Sequence, residues 1–278
     1  MRGDLFMGDN IVTVIIPTYN AENTIDRCIE SIVNQTYSKL KIICCDDCST
    51  DNTWAKLVTW QKKDSRITIL KNTENMGAAY TRNRCIELAT DIVVQIDDDD
   101  YCTLDRIEKQ VAFLNTHTEY AFVGSGMYFF DEDGVYGQTE DDRGYEVKKE
   151  HFLWSSGFAN PTVTFRKEAL DAVGGYRVAK ETRRSEDYDL FMRLYAAGYK
   201  GYVMPDKLVY YYRGKNSYRK CKYKYRINEA KIRFRNYKAL QLLPRGLPYV
   251  IKPILVGLIP ISIIEKIKRS KRQKAGIR

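Results

Sequence analysis

Four successive aspartates, Asp97 to Asp100 in "VVQIDDDDYC", are the first residues whose type and spacing could do chemistry. Carboxylates this close repel one another, and something must offset that repulsion. A solvated surface would do so. The run, however, follows Ile92, Val93, Val94, Gln95 and Ile96, which read as a buried strand. Acids at the carboxyl end of a core strand lie where open α/β sheets bind ligands, and a hard divalent cation carrying a phosphate on its far side would neutralise them. Two further polar loops follow apolar runs in the same way, "PTYN" (17 to 20) and "CDDCSTDNT" (45 to 53). Alone, the first reads as a turn and the second as a helix cap.

The elements that must position these loops alternate. Strands are expected over 11 to 17, 40 to 47, "RITILKN" and "DIVVQID". Helices are expected over 21 to 36, 50 to 63 and 77 to 89. In the first helix Ile25, Cys28, Ile29, Ile32 and Val33 share one face. Ser49 or Thr50 is a plausible N-cap for the second. Strands separated by single helices imply a parallel sheet, whose strand tips meet along one edge and could line one crevice with distant acids and a tyrosine. Beyond residue 100 the pattern mixes a helix at "DRIEKQVAFLNTH", strands at "YAFVGSGMYFFD", a polar excursion from 132 to 146 and a strand at "NPTVTFR". "KEALDAVGGY" reads as a helix closed by Gly174 and Gly175, and "SEDYDLFMRLYAAGY" as another helix; "KLVYYYR" closes the body.

With 278 residues, 44% of them hydrophobic, the chain can bury a sizeable core. Its net charge of +9 conceals a division. Residues 213 to 278 hold 20 Lys and Arg against 2 Asp and Glu, a net of +18; the preceding 212 hold 25 against 34, a net of −9. An acidic body with a basic tail suggests a polyanionic surface as partner, nucleic acid or anionic lipid. The tail's apolar stretch is broken by Pro248, Lys252, Pro253, Gly257 and Pro260, and the run from 253 to 264 is shorter than the roughly 20 residues a spanning helix needs. A segment lying in the membrane interface fits it; a helical hairpin packed on the body is the alternative. The seven cysteines are scattered, with only His117 and His151 besides, so reduced thiols of a cytoplasmic protein are expected rather than a zinc site. "MRGDLFMGDN" has no apolar stretch long enough for a signal peptide.

In order and placement, "VIIPTYNAENTIDRCIESIVNQTY", "DDCSTDNT", "NMGAAYTRN", "DDDD", "GGYR" and "SEDYDLFMRL" resemble the family-2 glycosyltransferases of the GT-A fold. The resemblance runs from about Thr13 to about Arg213. It implies an α/β fold with a mainly parallel, Rossmann-like central sheet over residues 1 to 212, followed by a basic, partly apolar helical tail over 213 to 278. It also implies an inverting transfer of a sugar from a nucleotide diphosphate donor, with Mn²⁺ or Mg²⁺. Carried over by position, the Pro17–Thr18 backbone and the Tyr19 ring would hold the base, and Asp47 would accept a hydrogen bond from its edge. Arg82 would reach the ribose–phosphate side. Asp97 and Asp99 match the DxD pattern, with Asp99 the direct metal ligand and Asp97 or Asp98 turned toward ribose or a metal-bound water. Asp187 would be the base and Glu186 would orient the acceptor; the plain reading is that these acids only favour the macrodipole of a helix start.

The sequence departs from the pattern at Cys48, where relatives often carry Gly, and at Lys215, near which they often carry His. Lys215 or Arg213 would then supply the cation to the diphosphate. Bacterial family members of this size often build O-antigen or capsule units on a lipid diphosphate. The expectation is therefore a hexose, Glc or Gal, moved from a UDP-sugar to GlcNAc or GalNAc on undecaprenyl diphosphate. The enzyme would sit peripherally on the inner face of the cell membrane, and no nucleic acid partner is expected. A sugar-nucleotide-forming nucleotidyltransferase would want a Gly-rich basic loop after the first strand, which "PTYNAEN" lacks. A purely polyanion-binding protein would leave the acids unexplained.

Overall fold

The computed structural model describes residues 11–214 and 223–258. Its first part is built as the periodicity predicts, from β1 (Val12–Thr18), α1 (Ile25–Val33), β2 (Leu40–Asp46), α2 (Thr53–Lys63), β3 (Ile67–Lys71), α3 (Ala78–Glu87) and β4 (Ile92–Gln95). These strands lie in the order β3-β2-β1-β4, all parallel, with Val12 opposite Leu40 on one side and Ile92 on the other. Because β1 runs between β2 and β4, the chain leaves all three at neighbouring points of one edge. Alternation along β1 divides the core. Val14 and Ile16 pack with Ile25, Cys28, Ile29 and Ile32 of α1, whereas Ile15 packs on the opposite face with Cys85 and Ile86 of α3.

Helix boundaries differ from the periodicity where side chains capture the backbone. The first helix begins at Ile25 rather than residue 21, because Ala21 closes a turn by accepting the N–H groups of Thr24 and Ile25. The expected cap at Ser49 or Thr50 is not used: Asn52 occupies the N-cap of α2, and the Ser49 hydroxyl donates to Asp46 instead.

The second part comprises β5 (Tyr101–Cys102), α4 (Arg106–Thr116), β6 (Phe122–Asp131), β7 (Gly134–Gln138), β8 (Tyr145–Glu146), β9 (Thr164–Arg166), α5 (Lys167–Ala172), α6 (Glu186–Ala196), β10 (Gly201–Tyr212), α7 (Tyr223–Ala239) and α8 (Leu247–Gly257). Residues 122 to 131 form one long strand, and the polar excursion contains β7 and β8, each held to a neighbour by backbone pairing despite its polarity. β9 enters antiparallel between β4 and β6, and β10 pairs parallel with β6. The fold is thus α/β, with a sheet parallel through its first four strands and mixed beyond them.

The body's packing continues past residue 212. Ile232 and Tyr237 of α7 and the following Leu240 and Leu242 are buried in the same cluster as Leu190 and Phe191 of α6. The Tyr237 hydroxyl donates to the Phe152 carbonyl at 2.6 Å, and Arg233 to that of Leu153 at 3.0 Å. Thus α7 lies on the body, as the hairpin alternative expects, while Ile251, Leu255 and Leu258 at α8 are exposed. No helix among the described residues is long and apolar enough to cross a membrane. The apolar run from 253 is described only through Leu258.

Candidate active site

The three strand tips are laced together by side chains reaching for backbone N–H groups. The Tyr19 N–H donates to Asp98 at 2.8 Å, that of Asn20 to the Ser49 hydroxyl at 2.9 Å, and that of Thr50 to the Asn20 side chain at 2.9 Å. The N–H of Asp47 donates to the Thr18 carbonyl at 2.8 Å. Pro17 and Thr18 are buried, while the Tyr19 side chain is 47% exposed, so its ring presents a free face. Cys48 has φ of 61°, a left-handed backbone that glycine adopts without strain.

Asp47 is buried and largely committed within the protein. One oxygen accepts from Asn72 at 2.7 Å and the Met76 N–H at 2.8 Å, the other from the Gly77 N–H at 2.8 Å. A carboxylate has about four acceptor sites, so one remains for a ligand.

The four aspartates are not equivalent. Asp100 is fully buried, accepts the Tyr212 N–H at 2.7 Å and so ties β10 to the acid run; its carboxyl is held well above its ordinary range by burial and then by Asp99 and Asp97. Asp97, Asp98 and Asp99 are half-buried. Asp98 is pushed up to about 8, first by burial and then by Asp99 and Asp97, with only the Tyr19 N–H and Arg82 opposing. Such like-charge strain is what a bound cation relieves. Among the described residues no three His, Cys, Asp or Glu side chains converge as a ready cage. The half-buried trio still offers hard oxygen donors, which fit Mg²⁺ or Mn²⁺ completed by substrate phosphate.

Arg82 joins this edge to the second set of acids. It is buried on α3 and donates to Asp97 at 2.8 Å and to Glu186 at 3.2 Å. Burial works against its charge, but Asp97, Tyr176 and Glu186 outweigh it and hold the guanidinium above its ordinary range. The guanidinium lies over the Tyr176 ring, 5.3 Å from its centroid. Tyr176 is placed there by the glycine pair. Gly174 and Gly175 have φ of 69° and 64°, and a Cβ at Gly175 would stand 2.6 Å from Asn83. Asn83 in turn exchanges hydrogen bonds with the Tyr176 backbone at 2.7 and 2.8 Å. Arg82, Asp97, Glu186 and Asp187 all line one cavity of about 920 Å³.

Asp187 stands in the first turn of α6, where it accepts the Tyr188 N–H at 2.8 Å. Burial and then Glu186 push its carboxyl up to about 6, against the Tyr188 N–H and Arg82. It is poised to take a proton near neutral pH. One oxygen of Glu186 is buried without a hydrogen-bond partner among the described residues, a free acceptor beside the cavity. The third acid, Asp189, points inward instead: it is fully buried and accepts from Arg177 at 3.2 Å, Arg193 at 2.7 Å and Asn236 of α7 at 3.0 Å.

The structure therefore brings Asp97, Arg82, Glu186 and Asp187 together, and joins Tyr19 to Asp98 and Thr18 to Asp47 on the adjoining edge. Arg213 lines the cavity with its guanidinium 4.8 Å over the Phe129 ring; Lys215 lies outside the described residues. Sequence reasoning missed Gln95, which steadies Asp97 at 2.9 Å, and Tyr176 beneath Arg82. The "GGYR" motif was the available signal for Tyr176. Nothing marked Gln95, which reads as one more residue of a buried strand.

The profile of the family described as Glycosyl transferase family 2 matches residues 13–174. The chain is 34% identical over 273 residues to EpsE of Bacillus subtilis (strain 168), an assumed glycosyltransferase, covering 96% of each chain. It is 32% identical over 195 residues to the Escherichia coli UDP-Glc:alpha-D-GlcNAc-diphosphoundecaprenol beta-1,3-glucosyltransferase WfaP, covering 68% of this chain and 72% of that one. Among solved structures, S. aureus TarS 1-349 in complex with UDP-GlcNAc superposes with a TM-score of 0.70 at 19% identity, over 87% of this chain and 72% of that one. The fold is shared at that level.

Proposed function

The chain belongs to glycosyl transferase family 2, and from that premise we propose that it moves a hexose, Glc or Gal, from a UDP-sugar to a GlcNAc or GalNAc carried on a lipid diphosphate of the undecaprenol type, in the synthesis of O-antigen or another surface polysaccharide. The observation that carries this reading is the ion-paired chain Asp97–Arg82–Glu186. It fastens the acid edge to the start of α6, so that Asp97 of that edge and the Asp187 carboxylate suited to an acceptor line one cavity. The relative WfaP, whose name gives UDP-Glc as donor and GlcNAc on diphosphoundecaprenol as acceptor, supports the choice of substrates.

On this reading the Pro17–Thr18 backbone and the exposed Tyr19 ring hold the uracil, by stacking in the case of the ring. The unused acceptor site of Asp47 takes a base N–H, and Arg82 lies on the ribose–phosphate side. Asp99, with Asp97 or Asp98 toward ribose or water, would hold Mn²⁺ or Mg²⁺. That cation supplies charge neutralisation for the leaving diphosphate. Arg213 or Lys215 would add a cation there. Asp187 removes the proton of the attacking hydroxyl, and Glu186 orients the acceptor through its free oxygen. A single displacement with one base inverts the anomeric centre.

The same reading places the protein in the cytoplasm, on the inner face of the membrane. The exposed Leu255 and Leu258 (59% and 66%) and the tail's net charge of +18 make a peripheral contact. The experiment that tests the function is UDP release from a panel of sugar nucleotides, with synthetic lipid-diphosphate GlcNAc or GalNAc and Mn²⁺ present. Release dependent on both donor and acceptor is expected. No acceptor-dependent release from any UDP-hexose would reject it.

A further inference from the structure

The cavity has two electrostatic walls. Asp97, Glu186 and Asp187 belong to one, with Arg82 committed between them; Lys180, Arg183 and Arg184, close together on the loop from 177 to 185, also line it. These three cations have no carboxylate partner among the described residues, and Arg183 and Arg184 are exposed. Three like charges set side by side cost free energy unless an anion joins them.

The loop that carries them is built in place. Buried Thr182 donates its hydroxyl to the Arg177 carbonyl at 2.7 Å and lies within 3.0 Å of that of Ala179. Arg177 is anchored to Asp189 at 3.2 Å. From the other side α7 holds it: Asn228 donates to the Lys180 carbonyl at 3.2 Å, and Arg235 pairs with Glu181 at 3.2 Å. Arg184 takes a left-handed backbone, φ 67°, as the chain turns into α6. A bulky residue persists in that conformation only when its surroundings determine it.

We propose that Lys180, Arg183 and Arg184 form a subsite for the diphosphate of the acceptor, an inference that rests on the glycosyl transfer described above. Two arguments assign the anion to the acceptor rather than the donor. On the proposed function the donor diphosphate would instead be met by a hard cation at the aspartates. The cationic loop leads directly into Glu186 and Asp187, so an anion held there lies in the same cavity as the hydroxyl that Asp187 would deprotonate. A sugar carried on a diphosphate presents a nucleophilic hydroxyl at one side of its ring and two phosphates at the other, which are the two groups the two walls accommodate. At about 920 Å³ the cavity stands near the upper end of small-molecule sites, with room for an acceptor sugar beside the donor. Because α7 staples the loop and packs against α8, the tail that would meet lipid and the subsite that would meet the lipid's diphosphate form one mechanical unit.

The test uses the full chain with Mn²⁺ and two acceptors, GlcNAc on a short alkyl diphosphate and the matching alkyl glycoside without phosphate. Lys180→Gln, Arg183→Gln and Arg184→Gln, singly and together, should raise KM for the diphosphate acceptor about tenfold per cation. KM for the donor and for the phosphate-free acceptor should stay within about twofold. Arg183→Lys should recover part of the loss. A donor KM that rises in step, or equal effects on both acceptors, would overturn the assignment. A binding arm separates this subsite from the transfer reading itself: with EDTA present, calorimetry should detect inorganic pyrophosphate bound by the native chain and not by the triple variant. Equal binding by both rejects the subsite. Loss of binding in the variant, in a native chain that transfers no sugar, keeps the subsite and rejects the hexosyl transfer.

Discussion

Residues 11 to 102 and residues 103 to 258 contribute to one cavity by different means. In the first stretch each strand and the helix after it form a local unit, and parallel register alone aligns the tips of β1, β2 and β4. Its site residues are held by short bonds between loops that register has already made neighbours, such as Tyr19 to Asp98 and Asp47 to Thr18. In the second stretch chain order and spatial order part. β9 precedes β10 by a helical excursion yet sits between β4 and β6, and α6 is positioned through the buried carboxylate of Asp189, shared by Arg177, Arg193 and Asn236. A site held by register tolerates loss of a functional side chain without unfolding. A site held by a buried ionic hub does not, because removing one member leaves uncompensated charge in the interior.

The contrast can be broken first at the donor edge, where the largest effect is expected. EDTA should abolish transfer, Mn²⁺ or Mg²⁺ should restore it, and Asp99→Ala should be inactive with an unchanged melting temperature. Full activity in that variant would remove the aspartates from the donor site. Next comes the acceptor wall: Asp187→Asn keeps shape and loses the proton acceptor, so kcat should fall about 10² to 10⁴, while UDP-sugar affinity measured by calorimetry stays put. Asp189→Ala should act quite differently, costing about 3–5 kcal/mol of stability, read as the loss of a cooperative urea transition at its native midpoint. A fully stable Asp189→Ala would dissolve the distinction between the two stretches.

A subtler effect appears in pH dependence. If Asp187 is the base proposed above it works deprotonated, and its carboxyl is raised to about 6, so kcat/KM should be flat above that value and fall about tenfold per unit below it. Arg82 opposes the rise, so Arg82→Gln should move the acid limb to higher pH; a limb unmoved by it would separate the two residues. The smallest expected change lies at α8. Leu255→Glu and Leu258→Glu should each weaken co-sedimentation with anionic vesicles by about 1–3 kcal/mol and leave transfer to a soluble acceptor intact. Full-length protein that fails to bind such vesicles at low salt would end the membrane reading.

The buried apolar run of β1 and the face made by Ile25, Cys28, Ile29 and Ile32 were legible because an apolar run and helical spacing are local properties of a chain. From them followed the parallel sheet and the shared edge; the family resemblance rested on the motifs. Identical letters concealed different fates in the acid run. Asp98 accepts the Tyr19 N–H and Asp100 anchors β10, the latter fate set by a strand that arrives more than a hundred residues later. The same holds for Asp187 and Asp189, two residues apart, one toward the cavity and the other into the hub beneath it. The tail shows the limit most clearly: its charge and broken apolar run left open an interfacial segment or a hairpin on the body, and only the fold shows Tyr237 and Arg233 reaching buried carbonyls on the body. Spacing along the chain decides which residues can share a face. Which partner that face meets, and so which carboxylate is left free to react, depends on contacts between distant segments, and only the folded chain brings those segments together.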